Sequence, residues 1–238
     1  MSSDAQSVVI LGLARQGTAL ARFFAARGAD VTISDIRDAD KLRAEMAALE
    51  EEGLSIRYVL GEHPSTLLDD CDLLCLSGGV PLDLPIVAAA RERGIPLSND
   101  AQEFVARCPA PIVGITGSAG KTTTTTLVGK MLGAEGFTTW VGGNIGNPLL
   151  NELPNIDPDD RVVMELSSFQ LDLMSVSPEV AGVLNITPNH LDRHKTMAAY
   201  VAAKRNIVAH QGPADVAVLG YDEPNARALA SHPISGRR

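Results

Sequence analysis

Clustered positive charge is almost absent from this chain. The 238 residues carry a formal charge of −9, and no basic run stands out except the terminal Arg237-Arg238. A general nucleic-acid or membrane-surface binder is therefore not expected. An anionic ligand is not excluded, because backbone amides at a helix start bind phosphate inside an acidic protein. Cysteine is scarce too: Cys71, Cys75 and Cys108 are odd in number and lack metal-ligand spacing. They read as reduced thiols, which points to a cytoplasmic protein. No apolar run approaches membrane-spanning length, and "MSSDAQ" lacks a basic segment followed by an apolar one. A soluble chain with no membrane partner is expected.

What is present is an alternation of short apolar runs and longer amphipathic stretches. "SVVILG" reads as a buried strand and "QGTALARFFAARG" as a helix closed by glycine. "DVTISD", "CDLLCLSGG" and "IPLSND" read as strands, with "DADKLRAEMAALEEEG" and "LPIVAAARERG" as helices. Strand and helix in alternation imply an α/β fold with a parallel sheet covered on both faces. "RCPAP" breaks the pattern with two prolines, so a boundary is placed there, giving domains 1–109 and 110–238. The second half restarts with "PIVGIT", continues through a helix "KTTTTTLVGKMLGAEG", and adds strands "RVVMEL", "VAGVLNIT" and "ADVAVLG". "EPNARALASHP" reads as one more helix, after which the second domain is expected to stop before its sheet is complete.

"GITGSAGKTTTTT" (Gly114 to Thr126) is the most informative stretch. A common phosphate loop has the form G-x-x-x-x-G-K-[ST]. Counting back five from Gly120 lands on Ile115, so the first glycine of that form is missing. The functional parts remain. A strand feeds a turn holding Gly117, Ser118, Ala119 and Gly120, and Lys121 opens a helix. Glycine lets the backbone approach a phosphate, and the helix start adds partial positive charge. Lys121 would reach the terminal phosphates, while Thr122 would offer a hydroxyl to magnesium. Thr123 extends the candidate ATP contacts, and Thr124 completes the first turn. The competing reading is a glycine turn with a solvated lysine. In the first domain, "GLARQG" (Gly12 to Gly17) is a dinucleotide fingerprint with Ala14 at its middle glycine. Asp35 ends the second strand at roughly the spacing of a ribose-binding acid.

Five stretches in order, "TGSAGKTT", "VGGNIG", "MELSSFQL", "LNITPNHLDRH" and "YVAAKRNI", resemble the Mur ligases of peptidoglycan synthesis, and essentially the whole chain is covered. "ELSSFQL" and "HLDRH" resemble the D-glutamate-adding branch. The shortened loop of that family, G-[ST]-N-G-K-[ST]-T, accounts for the missing glycine, although Ala119 replaces its usual asparagine. Asn189 likewise stands where aspartate is usual. The resemblance implies a Rossmann-like domain followed by a phosphate-loop α/β ATPase domain, with the amino-acid-binding third domain of the family absent. It implies an ATP-dependent ligation of D-glutamate to UDP-N-acetylmuramoyl-L-alanine through an acyl phosphate, by a cytoplasmic monomer.

Residue roles follow from the resemblance. Lys121, Glu165, His190 and Lys204 are implied as catalytic. Thr122, Glu165, His190 and a carbamylated Lys204 are implied as ligands to two magnesium ions. Substrate contacts are implied at Arg15, Gln16, Asp35, Arg37, Gly79, Asn144, Ser167 and His190. Each has an ordinary alternative. Histidine is an unusual magnesium ligand, and by sequence alone His190 would be structural. Lys204 in "YVAAKRN" would be a solvated helix residue, and nothing local argues for a carbamate. Ser167 or Ser168 would be a helix cap, and Arg15 and Arg37 surface charges. Two rival functions remain open. One is a nicotinamide-dependent oxidoreductase, resting on "GLARQG" and Asp35. The other is an inactive nucleotide-binding fragment.

Overall fold

The computed structural model describes residues 6–231. Most of "MSSDAQ", the His232 and Pro233 end of the last expected helix, and the Arg237-Arg238 pair lie outside the described residues. The chain divides into two compact units, Met1–Asp100 and Ala101–Arg238. The division falls ahead of the Pro109 and Pro111 pair that marked the sequence boundary, and a helix, Asp100–Val105, runs between the two positions.

The first unit runs β1 (Ser7–Leu11), α1 (Arg15–Ala25), β2 (Asp30–Asp35), α2 (Ala39–Glu51), β3 (Ile56–Leu60), β4 (Leu73–Leu76), α3 (Pro85–Glu92) and β5 (Leu97–Ser98). The strands pair in the order β3-β2-β1-β4-β5, all parallel. β1 and β4 are almost wholly buried. That suits central strands with apolar side chains on both faces. The order reverses at β1 and β4, so the loops after these two strands leave on opposite sides and frame a crevice. One glycine is indispensable here. A Cβ on Gly17 would lie 1.9 Å from the Gly12 carbonyl oxygen, so no other residue lets α1 begin so close to the turn.

The second unit opens within the helix already noted, α4 (Asp100–Val105), whose first residue closes the first unit. It continues β6 (Ile112–Thr116), α5 (Lys121–Ala134), β7 (Thr139–Gly143), β8 (Arg161–Glu165), α6 (Ser168–Leu171), β9 (Val180–Val183), α7 (Leu191–His194), α8 (Met197–Ala209), β10 (Val216–Leu219) and α9 (Pro224–Ala228). Its sheet is also parallel, in the order β10-β9-β6-β8-β7. The register aligns Ile115 with Glu165, Thr116 with Val183, and Gly143 with Glu165. The carboxyl ends of β6, β7, β8 and β9 therefore meet at one edge, and the order reverses beside β6. Both sheets thus set a switch point where open parallel sheets bind ligands.

Candidate active site

Two separate groups of side chains form, one in each unit. In the first, Asp35 ends β2 and is 4% exposed. Its carboxylate accepts from the Leu13 amide at 2.8 Å, the Arg37 amide at 2.9 Å, and the Arg37 guanidinium at 3.0 and 2.7 Å. Burial pushes this carboxyl up, but the Arg37 guanidinium and the two amides outweigh it and hold the pKa at about 2. Arg37 also donates to the Leu13 carbonyl at 2.9 Å, so it fastens the first glycine turn to the end of β2. Across the switch point, the Gly78 amide donates to Gln16 Oε1 at 2.6 Å, joining the loops after β1 and β4. Gly79 leaves open space around it, and Arg15 is exposed at the start of α1. The structure brings Gln16, Asp35 and Arg37 to one end of this sheet; the Arg37 side chain is 39% exposed, with its guanidinium committed to Asp35 and the Leu13 carbonyl.

In the second unit, Gly120 caps α5 with φ +82°, a left-handed conformation suited to glycine. The first-turn amides of α5 have no intrahelical acceptor, as at any helix start. Lys121 Nζ folds back to donate to the Gly117 carbonyl at 3.0 Å. Beside it, Glu165 ends β8 and is 2% exposed. Thr122 Oγ1 donates to one of its carboxylate oxygens at 2.7 Å, and Asn144 Nδ2 donates to the other at 2.8 Å. The Asn144 amide also donates to the Glu165 carbonyl at 2.9 Å. A carboxylate this buried is tolerable because both oxygens are engaged.

Lys204 is 1% exposed in α8, not solvated as its local sequence suggested. Its Nζ donates to Thr116 Oγ1 at 3.1 Å and to the Gly117 carbonyl at 3.0 Å, behind the glycine loop. Burial pushes its pKa down to about 7; Lys121 adds to the fall and Glu165 opposes it. This amine therefore gives up its proton far more readily than an ordinary lysine near 10.4.

The remaining sequence-derived residues sit further out. Ser167 caps α6 in a reciprocal arrangement with Gln170, the alternative named for it from sequence. His190 is exposed, adopts φ +52°, and packs edge-on against Phe169 at 5.2 Å. Its ring forms no hydrogen bond with Glu165, Thr122 or Lys204 among the described residues, where no three His, Cys, Asp or Glu side chains gather as a metal cluster. Sequence reasoning passed over His194, whose Nε2 lies 2.9 Å from Ser168 Oγ and whose ring stacks on Phe169. It also passed over Asn185 and Tyr200, both of which hydrogen-bond the glycine loop. Asn185 lies just past the end of β9, in the stretch "LNITPNHLDRH" that the sequence analysis quoted, so that signal was available.

Residues 115–234 match the Mur ligase middle domain, and residues 6–99 match the MurD-like N-terminal domain of Mur ligases. The chain belongs to the Mur ligase family. A UDP-N-acetylmuramoylalanine–D-glutamate ligase of Symbiobacterium thermophilum is 46% identical over 95% of this chain and 49% of its own length. One of the same name from Geobacter metallireducens is 43% identical over 97% of this chain and 51% of its own. This Mur ligase chain therefore spans about half the length of the curated relatives it matches. Among solved structures, a UDP-N-acetylmuramate:L-alanyl-gamma-D-glutamyl-meso-diaminopimelate ligase from Neisseria meningitides covers 98% of the chain and 76% of its own, with a TM-score of 0.61 at 18% identity. A murein peptide ligase from Psychrobacter arcticus gives 0.56 at 16% identity, over 98% of this chain and 52% of its own. These two likenesses concern the Mur ligase fold, in which both parallel sheets take part.

For a magnesium ion, the Thr122 hydroxyl and the Glu165 carboxylate supply hard oxygen donors, which suit it. The donor set fits as far as these two residues. Lys204 adds an oxygen ligand only if its amine is carbamylated.

Proposed function

We propose that this chain is the nucleotide-binding part of a ligase that joins D-glutamate to UDP-N-acetylmuramoyl-L-alanine at the expense of ATP, in the cytoplasm and as a monomer without nucleic-acid or membrane partners. The observation that carries the reading is the buried Glu165 carboxylate. It is held between Thr122 on the phosphate loop and Asn144 after β7, with Lys204 close enough to interact with it electrostatically. An oxidoreductase needs no such carboxylate beside a phosphate loop.

Joining a carboxylate to an amine requires activation. The substrate carboxylate oxygen attacks the γ-phosphorus of ATP, ADP leaves, and an acyl phosphate forms. The amine of D-glutamate then attacks the acyl carbon, phosphate leaves, and the nitrogen gives up a proton. Phosphoryl transfer depends mainly on positioning and charge neutralisation. The amides of Gly117, Ser118, Ala119 and Gly120 shape the loop, and those of Lys121, Thr122, Thr123 and Thr124 open the helix. Lys121 leaves the Gly117 carbonyl to meet the terminal phosphates. Thr122 and Glu165 would hold magnesium, which supplies charge neutralisation at the phosphates when bound. A second ion would be held with His190 and with a carbamylated Lys204. For Lys204, the neutral Nζ adds to carbon dioxide, an N–C bond forms and a proton leaves, turning a cation into an anionic oxygen donor.

The uridine nucleotide takes the first unit, at the loop carrying Arg15 and Gln16, at Asp35 and Arg37, and at the turn carrying Gly79. Asn144, Ser167 and His190 face the acyl end of the substrate. The test is isotopic. In a protein of the relatives' full length, ¹⁸O placed in the substrate carboxylate should appear in the phosphate released during ligation. Ligation with unlabelled phosphate would exclude the acyl phosphate.

A further inference from the structure

The glycine loop is bonded from a strand end 66 to 67 positions away. Ala119, near its apex, has no polar side chain, and apart from the Lys121 ammonium on the Gly117 and Ser118 carbonyls the loop's polar contacts come from the chain after β9. Asn185 Oδ1 accepts from the Ser118 amide at 3.1 Å and from the Ala119 amide at 2.9 Å. Asn185 Nδ2 donates to the Ala119 carbonyl at 3.1 Å, and the Asn185 backbone carbonyl accepts from the Ser118 amide at 2.9 Å. One carboxamide thus closes a reciprocal pair on Ala119 and takes a second amide besides. Thr187 and Tyr200 fix the neighbouring residue. Ser118 Oγ donates to the Thr187 carbonyl at 2.9 Å, accepts from the Thr187 amide at 3.0 Å, and lies 3.0 Å from Tyr200 Oη. The approach is close: a Cβ on Gly117 would lie 3.1 Å from Leu184 Cβ.

We infer that Asn185 is a positioning residue for the phosphate loop, sorting its amides into two that fasten the loop and a following group that meets phosphate. A carboxamide merely standing in for phosphate would only accept. Asn185 also donates to Ala119, a contact that no fully ionised phosphate oxygen can replace. With the Ser118 and Ala119 amides engaged, the Gly120 amide and the first-turn amides of Lys121, Thr122 and Thr123 keep their donors free, among the described residues, for an anion. Pre-set donors of this kind require no reorganisation when the ligand arrives.

The inference rests on the ATP-site reading, and the experiment separates the two. Inorganic tripolyphosphate is titrated into the ¹⁵N-labelled 238-residue chain. The amides of Gly120 to Thr123 should shift and gain protection, while those of Ser118 and Ala119, protected beforehand, change little. Asn185→Ala should weaken tripolyphosphate at least tenfold, speed exchange at Ser118 and Ala119, and leave uridine nucleotide affinity in the first unit unchanged. No response at Gly120 to Thr123 would overturn the phosphate-site reading and this assignment with it. A response centred on Ser118 and Ala119 would overturn the assignment of Asn185 alone. So would tripolyphosphate affinity undiminished in Asn185→Ala. The wild-type titration decides even if the variant folds poorly.

Discussion

Thr122 Oγ1 donates to Glu165 Oε2 across 2.7 Å, tying the first turn of α5 to the carboxyl end of β8. The bond orients a buried carboxylate that has no solvent to satisfy it. Thr122→Val keeps the shape and removes the donor. Metal-dependent turnover in a full-length protein should fall by at least roughly 10–100-fold, the loss expected even for a residue that only orients a metal ligand. Asn144→Ala should act in the same direction through the other oxygen. Steady-state rates over a magnesium series check both, and an unchanged rate in either variant would detach that residue from the site.

Lys204 gives a pH signature. An ordinary lysine stays charged to about pH 10.4, whereas this one titrates at about 7. Between those values the unfolded chain binds more protons than the folded one, so this group's contribution to stability rises with pH. Relative to Lys204→Met, the wild type should gain melting temperature from pH 7 to pH 9. A ¹³C carbamate signal after exposure to labelled carbon dioxide should grow through the same range and vanish below about pH 6, where the amine is charged. No signal at any pH would leave Lys204 a buried loop anchor.

Lys204→Ala should abolish metal-dependent activity in a full-length protein, and short carboxylic acids should restore part of it by supplying the lost oxygens. Lys204→Arg should stay inactive, since a guanidinium forms no carbamate. Full activity in Lys204→Ala would remove the lysine from the chemistry.

Glycine substitutions separate fold from site. Gly17→Ala drives a Cβ into the Gly12 backbone carbonyl and should cost more than about 4 kcal/mol, or prevent folding of the first unit. Gly79→Ala meets nothing within 4 Å and should change stability by no more than about 0.5 kcal/mol. Thermal unfolding distinguishes them. A stable Gly17→Ala would refute the close approach.

How far the sequence disclosed this depended on whether a signal was local. The phosphate loop was legible because its glycines, lysine and threonine are consecutive and follow an apolar strand. Asp35 was legible because it ends a strand, and Glu165 because it lies in "MELSSFQL", one of the stretches that carry the family resemblance. β3 and β7 went unread: "IRYVL" is short and half-exposed, and "TWVGG" runs into glycines that drew attention as a motif. The burial of Lys204 depends on α8 packing behind β6, which no local pattern records. Asn185 meets Ser118 from 67 positions away, and only the sheet order brings them together. A cap at Ser167 or Ser168 was legible from residue type alone, while the choice of Ser167, paired with Gln170, came from the structure.

Asp35 tests the first unit. Its pKa is depressed from 3.8 to about 2, so the stability it contributes is present above about pH 3.8 and is lost as the pH falls through about 2. Asp35→Asn should remove that acid-sensitive part of the unfolding curve. A wild-type and variant pair with parallel curves from pH 5 to pH 2 would contradict the bonded geometry.

The central claim is that two nucleotide sites occupy two units, and calorimetric titration of the 238-residue chain tests it most directly. Magnesium–ATP and the uridine nucleotide should each bind once and independently. Lys121→Ala should abolish ATP binding and spare the uridine nucleotide; Asp35→Ala should do the reverse. Tight NADH binding with no uridine nucleotide response, or ATP affinity unchanged in Lys121→Ala, would contradict the account.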